Sequence, residues 1–284
     1  KKKMMNKNKM QREFEERDEN QLIRLNKFLA ESGICSRREA DRLIEAGMVT
    51  VDGQKAAQGM KVLPSQQVLV NGKKIAREKE MILLAVNKPV GIVCTTEKKW
   101  GKNNIEEFLH YPKRIFSIGR LDKNSEGLLL MTNNGEIFNK IMRAGNYHEK
   151  EYEVTVDRSV TPEFLKKMAE GVPILDTITR KCQVRKTGRR SFEIILTQGL
   201  NRQIRRMCEA LGYRVVKLKR IRIMNIQLGD LKTGEYRDVT PEEMEVLYDQ
   251  IKRSSNLPEA ERKERGRKIE SENRRTTKNN RISQ

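Results

Sequence analysis

Four consecutive apolar residues, Leu128, Leu129, Leu130 and Met131, follow directly on a loop bounded by Gly119 and Gly127. A strand sends successive side chains to opposite faces, so an unbroken apolar run reads as a strand covered on both sides. Such a strand anchors the loop before it rigidly and lets the one carboxylate of Gly119-Arg120-Leu121-Asp122 protrude into a cleft. At 284 residues the chain is long enough to bury the core this strand requires, and the usual size of domains predicts two of them.

The flanking patterns predict the rest of the scaffold. Leu25, Phe28 and Leu29 recur at helical spacing before Gly33, and Ser36 with Glu39 forms a capping box for a second helix that Gly47 closes. Met48 to Val51 and Val68 to Val70 read as short strands ahead of the hairpin turns Asp52-Gly53 and Asn71-Gly72. Ile82 to Val86 reads as a buried strand stopped at Lys88-Pro89, and further strands are expected at Tyr152 to Val156 and Phe192 to Leu196. Helices are expected at Ile137 to Ala144 and at Pro162 to Ala169, the second with Thr161 as cap and Pro162 in its first turn. Strands and helices without regular alternation predict an α+β fold with a mixed sheet. The expected division is a flexible leader at 1–21, a small domain at 22–75, a linker at 76–80, a larger domain at 81–251 and a disordered basic tail at 252–284.

The formal net charge is +20, from 59 Lys and Arg against 39 Asp and Glu, which favours a polyanionic partner, nucleic acid first. Residues 1–20 carry seven basic and five acidic side chains and 252–284 carry eleven and five, so the part between them still holds +12. No apolar run approaches the roughly 20 residues of a spanning helix and no signal-peptide pattern opens the chain, so no membrane partner and a cytoplasmic location are expected. Four scattered cysteines and two histidines give no zinc-ligand spacing and no disulfide framework; no metal is expected. Oligomeric state is not legible from the sequence, and a monomer is the working expectation.

Three constellations carry chemistry. Asp122 is the first; a lone loop aspartate is ordinarily a turn residue or cap, but a carboxylate held rigidly in line with a leaving group is also a covalent nucleophile in glycosidic chemistry. Tyr152, within Glu149-Lys150-Glu151-Tyr152, is the second and opens a predicted strand. The third is Gly199-Leu200-Asn201-Arg202-Gln203-Ile204-Arg205-Arg206-Met207, where a helical wheel puts Ile204, Met207, Cys208 and Leu211 on one face and Arg202, Arg205, Arg206 and Glu209 on the other. From Leu200 to Arg222 there are eight basic side chains and one acid, the densest positive stretch outside the tails.

The run Gly119-Arg120-Leu121-Asp122, the Lys-x-Tyr context of Tyr152 and the Gln203-Ile204-Arg205 run together resemble the three motifs of the pseudouridine synthases, within the RsuA family. The stretch Arg143-Ala144-Gly145-Asn146-Tyr147-His148-Glu149-Lys150-Glu151-Tyr152 looks most like its RluF-type branch, which acts on large-subunit rRNA near the peptidyl transferase centre. Arg24-Leu25-Asn26-Lys27, the Ser36-Arg37-Arg38-Glu39-Ala40 cap and the two turns resemble an S4 RNA-binding domain. The resemblance implies an isomerase without cofactor, in which Asp122 attacks a flipped uridine, Tyr152 packs on the base and moves a proton, and Arg205 pairs with Asp122. It further implies that Leu200 lines the uracil pocket and that Arg202 and Arg206 meet phosphates. Unstacking a base leaves a gap, and Arg120, beside Asp122, is placed either to fill it or to brace the loop through a backbone carbonyl. Arg24, Lys27, Arg37, Arg38 and Arg42 of the small domain, with Arg214, Lys217, Lys219 and Arg220, are the expected contacts to the RNA backbone, the partner being 23S rRNA or its precursor, or transfer RNA. A non-catalytic ribosome-assembly protein is the competing reading of the same charge.

Overall fold

The structure, a computed structural model, describes residues 21–78, 80–95, 103–142 and 147–252, the side chain of Lys252 excepted. Residues 1–20 of the expected leader, 253–284 of the expected tail, Lys79 of the linker, and Arg143, Ala144, Gly145 and Asn146 of the tyrosine motif lie outside the described residues.

The first unit runs β1 (Ile23–Arg24), α1 (Leu25–Glu31), α2 (Arg37–Glu45), β2 (Val49–Val51), β3 (Gln54–Lys55), β4 (Lys61–Val62), β5 (Val68–Val70) and β6 (Lys73–Ile75). Its four-stranded sheet has the order β3-β2-β5-β6, while β1 pairs with β4. Ser36 accepts a hydrogen bond from Glu39 N at 3.2 Å, which satisfies one of the orphan donors at the start of α2. Both hairpin turns take positive φ at each central residue, Asp52 at 50° and Gly53 at 82°, Asn71 at 50° and Gly72 at 75°, as tight two-residue turns require. Leu25, Phe28 and Leu29 from α1 and Ala40 and Ile44 from α2 pack on Val49, Val51, Val68 and Val70 of the sheet. The apolar stripes therefore face inward, and Arg24, Arg37, Arg38 and Arg42 are left exposed.

The second unit continues with β7 (Leu83–Lys88), α3 (Ile105–Leu109), β8 (Phe116–Ile118), β9 (Glu126–Thr132), α4 (Gly135–Met142), β10 (Lys150–Val156), α5 (Pro162–Glu170), β11 (Pro173–Ile174), β12 (Thr177–Ile178), β13 (Gln183–Gly188), β14 (Ser191–Leu196), α6 (Gln203–Ala210), β15 (Val215–Ile223), β16 (Ile226–Gln227), β17 (Tyr236–Asp238) and α7 (Pro241–Lys252). One nine-stranded sheet organises it, with the main order β13-β14-β10-β15-β9-β7-β17, β8 added to β9 and β16 to β15. The β9/β15 pair is parallel and its neighbours are antiparallel, so the sheet is mixed.

Leu128 to Met131 form the middle of β9 and are fully buried. Leu128 and Leu130 pack with Ile137, Ile141, Leu247 and Ile251 on one face, and Leu129 and Met131 with Leu84, Val86, Ile105 and Leu109 on the other. At about 1.5–3 kcal/mol for each fully buried large aliphatic, this strand is the rigid mount the sequence predicts. The half around β10 and β14 has a separate core, in which Phe164 and Met168 of α5 and Ile204, Met207 and Cys208 of α6 cover Val154, Phe192 and Ile194. The loop before β9 and the start of α6 thus meet from opposite halves of one sheet.

Candidate active site

Asp122 stands on the loop between β8 and β9, three backbone-level ties holding that loop. Leu121 N lies 3.5 Å from Cys94 Sγ, Gly91 N donates to Lys123 O at 2.7 Å, and Ser125 N donates back to Asp122 O at 3.0 Å. Both bounding glycines take positive φ, 77° at Gly119 and 102° at Gly127, and at Gly127 a neighbouring backbone also approaches closely. A Cβ at Gly119 would fall 2.8 Å from Met142 Sδ, and one at Gly127 only 2.3 Å from Arg220 O on the neighbouring strand.

α6 enters through a turn with Arg202 at φ 49°, a left-handed conformation that costs a non-glycine residue about 1 kcal/mol. Gln203 secures it: its Oε1 accepts from Leu200 N at 3.0 Å while its own N donates to Leu200 O at 3.2 Å. The turn aims two guanidiniums at the loop. Arg205 Nε lies 3.4 Å from Asp122 Oδ2 and Arg202 Nη1 lies 3.7 Å from the same oxygen. Arg205 Nη2 also donates to Asn124 O at 3.0 Å and to Ser125 Oγ at 2.9 Å, so one buried side chain spans the whole turn. Its Nε has no hydrogen-bond acceptor among the described residues; the contact to Asp122 is an ion pair rather than a formed hydrogen bond. Burial lowers the Arg205 pKa from the ordinary arginine value, and the Asp122 charge works in the opposite direction.

A helical wheel puts Arg205 on the polar face with Arg202, Arg206 and Glu209. Instead the side chain is 6 % exposed and turned inward, because a loop some 80 residues earlier in the chain covers that face. Asp122 keeps 32 % of its side chain exposed, so the carboxylate is held by a buried cation and still open to an incoming group.

Tyr152 is half-buried on β10, in register with Ile194 on one side and Arg220 on the other, and packs against the cluster that contains Leu121. Leu200 is half-buried against the α6 core. Arg120 is exposed beside Asp122, and Arg206 is half-buried, its Nε and Nη2 each 3.0 Å from Asn201 oxygens.

The basic stretch after α6 is a correction. Residues 215–223 form β15, a central strand, where the sequence reading expects surface contacts to phosphate. Arg220 is 3 % exposed and donates through Nε to Leu128 O at 2.7 Å, so it is withdrawn from any RNA backbone at the surface. Arg214 and Lys217 are exposed and Lys219 half-buried; Lys217 Nζ sits 3.0 Å from Glu126. In the first unit Arg24, Arg37, Arg38 and Arg42 are exposed as expected, while Lys27 is half-buried 3.5 Å from Glu31.

Two amines near the site have no role in the sequence reading. Lys88 is fully buried, with Nζ 2.8 Å from both Pro89 O and Ile92 O; burial lowers its pKa, against the opposing pull of Cys94 and Asp122. It fixes the turn whose Gly91 holds the catalytic loop. Lys150 is brought down to about 8 by burial, with repulsion from Arg220 adding to it. A lysine at the end of a strand whose first four residues are apolar, just before proline, is the signal that marks Lys88.

A fixed, partly open carboxylate, on a loop whose Leu121 shares a cluster with Tyr152, suits nucleophilic attack on a planar, neutral ring system or its sugar. The RNA pseudouridylate synthase family model matches residues 82–210 and the S4 domain model residues 23–68. The chain is 55 % identical over 236 residues to the dual-specificity RNA pseudouridine synthase RluF of Escherichia coli (strain K12), covering 82 % of this chain and 81 % of that one. It is 36 % identical to the ribosomal large subunit pseudouridine synthase B of Bacillus subtilis (strain 168), over 79 % of this chain and 95 % of the relative. A crystal structure of a pseudouridylate synthase superposes with a TM-score of 0.59 at 28 % identity, over 79 % of this chain and 99 % of that one. Motifs, sheet and comparisons agree: the chain belongs to the RNA pseudouridylate synthase family and carries an S4 domain ahead of its catalytic sheet.

Proposed function

We propose that this enzyme isomerises a uridine of large-subunit ribosomal RNA to pseudouridine, with Asp122 as the nucleophile. The observation that carries the assignment is the Asp122–Arg205 ion pair at 3.4 Å, built on a loop that the buried strand β9 cannot let drift. A neighbouring cation keeps the carboxylate ionised and aimed, as an attacking group needs.

The proposed sequence is balanced without any helper. The target nucleotide leaves the stack and enters over Leu200 and Tyr152, Asp122 adds to it, and the N1–C1′ bond breaks. The uracil then turns, C5 bonds to C1′, the C5 proton is lost, N1 gains one, and Asp122 is released. No electron is gained or lost, so no redox cofactor is called for. Tyr152 supplies a stacking face and a hydroxyl suited to carrying the C5 proton. Flipping costs a few kcal/mol, which phosphate contacts by Arg202, Arg206, Arg214 and Lys219 and insertion of Arg120 offset. The exposed cations Arg24, Arg37, Arg38 and Arg42 of the S4 domain are proposed to grip the structured RNA around the target.

The large-subunit address rests on the name of the Bacillus subtilis relative and on the RluF-type motif. The name of the Escherichia coli relative, a dual-specificity enzyme, favours a second substrate, for which transfer RNA is the candidate.

The test is Asp122→Asn, which changes one carboxylate and no phosphate contact. We expect pseudouridine formation in 23S rRNA to fall by at least about 10³-fold, the scale of a lost nucleophile, with RNA affinity within a few-fold. Equal pseudouridine from both proteins would remove Asp122 from the chemistry. Mapping rRNA and transfer RNA from cells with and without the protein fixes the address; a change confined to transfer RNA would overturn the ribosomal assignment.

A further inference from the structure

Arg220 is placed by the sheet itself between the two groups assigned to the chemistry. On β15 it stands in register with Gly127 of β9 on one side and with Tyr152 of β10 on the other. β9 carries the Asp122 loop, and β10 carries the tyrosine. The side chain reaches both ways: Nε donates to Leu128 O at 2.7 Å, and the guanidinium carbon lies 5.9 Å from the centroid of the Tyr152 ring.

Two further features argue against a mere filler. Arg220 Nη2 is buried with no hydrogen-bond acceptor among the described residues. A buried charged donor left that way costs more than the 1–3 kcal/mol typical of a neutral group, a cost that an aliphatic side chain of similar volume avoids. The second feature is Gly127, where β9 and β15 meet with no side chain between them; a Cβ there would stand 2.7 Å from Arg220 N as well as 2.3 Å from its carbonyl oxygen. A displacement of Arg220 therefore reaches the end of the catalytic loop through backbone contact.

We propose that Arg220 is a positioning residue that sets Tyr152 relative to the Asp122 loop, tying β9 to β10 across β15 through its hydrogen bond to Leu128 and its cation beside the ring. The inference rests on the synthase reading above, in which both groups act on one uridine. A misplacement of about 1 Å between reacting partners lowers rates by up to about 100-fold without weakening binding.

The test uses the full chain and a 23S rRNA fragment holding the target uridine, at saturating RNA and well below the melting temperature. Arg220→Gln keeps one donor and loses the cation, whereas Arg220→Lys keeps the cation but cannot serve the carbonyl and the ring together. We expect the saturating rate to fall about 10- to 100-fold in the first and about 3- to 10-fold in the second, with RNA affinity within about threefold of wild type. Arg222→Gln is the control: it loosens the same strand, and its melting point should fall without a matching loss of rate. Folded Arg220 variants that retain the wild-type rate, or that lose affinity and not rate, overturn the proposal. If the glutamine variant does not fold, the lysine variant decides alone. An inactive wild type sinks the synthase reading and this inference with it, whereas an active wild type with unaffected variants sinks this inference alone.

Discussion

Arg24 on β1 with Arg37, Arg38 and Arg42 of α2, and the cations of the segment from 200 to 222, look alike in sequence and are put to different use; Lys27 of α1, 3.5 Å from Glu31, sides with the second group. Arg24, Arg37, Arg38 and Arg42 are exposed, and their side chains have no ion pair among the described residues. In the second segment Arg205 and Arg202 face Asp122, Arg206 binds Asn201, Lys217 meets Glu126, Arg220 binds Leu128 O, and Arg222 lies between Glu149 and Glu151. Of its eight basic side chains, Arg214 and Lys219 alone have no such partner among the described residues. The denser positive stretch therefore holds fewer uncommitted cations, two against four. Density of charge in a sequence counts cations; only topology says how many are already committed.

The sharpest break of this comparison is Arg205→Met. The substitution keeps an apolar stem of similar length on α6 but removes the span from Asp122 to Ser125. Activity should fall by about 10²- to 10³-fold, the scale of one lost preorganised charge contact, with the salt dependence of RNA binding unchanged. Single-turnover rates together with affinity measured at several salt concentrations check both halves. A large change in the salt slope would mean that Arg205 meets phosphate after all.

Arg222→Gln probes a committed cation away from the reacting groups. Its side chain is 14 % exposed, and the guanidinium bonds Glu151 at 2.6 Å and Glu149 at 3.0 Å. Burial alone would lower its pKa, but the hydrogen bonds it donates to those two carboxylates win and raise it. Removing the charge leaves the carboxylates of Glu149 and Glu151 without their shared cation. A destabilisation of about 2 kcal/mol is expected in chemical denaturation, again without effect on the salt slope. A neutral outcome in stability would show the network to be surface ornament.

Legibility in the sequence follows the same division. β9 is readable because both of its faces are covered by apolar layers, so Leu128 to Met131 needs no partner to be recognised. The turns at Asp52-Gly53 and Asn71-Gly72 are readable because positive φ demands those residue types locally. β15 is not, since Lys217, Lys219, Arg220 and Arg222 interrupt its apolar positions, and the partners of three of them, Glu126 for Lys217, Leu128 O for Arg220 and Glu149 with Glu151 for Arg222, come from elsewhere in the chain. Asp122 and Arg205 are found through the resemblance of their motifs. The inward turn of Arg205 is invisible to a helical wheel because the Asn124–Ser125 loop that covers it is distant in sequence. Lys88 is missed for a related reason: its amine is satisfied by carbonyls of its own turn, which no spacing rule encodes.

The smallest effect expected, and the one that isolates the uncommitted cations, is Arg38→Gln in the first turn of α2. The side chain is exposed, packs in no core cluster, and its charge opposes the positive end of the helix dipole, so its loss should leave stability unchanged or raise it by a few tenths of a kcal/mol. If it meets a phosphate, its removal shallows the slope of log affinity on log salt by about 1, and weakens binding alike for every RNA sequence that keeps the same shape. The catalytic rate at saturation should not move. A slope unchanged in this variant and in Arg42→Gln would assign the S4 cations to solvent and leave the grip on RNA to Arg214, Lys219 and the rim of the catalytic cleft, reversing the contrast between the two regions.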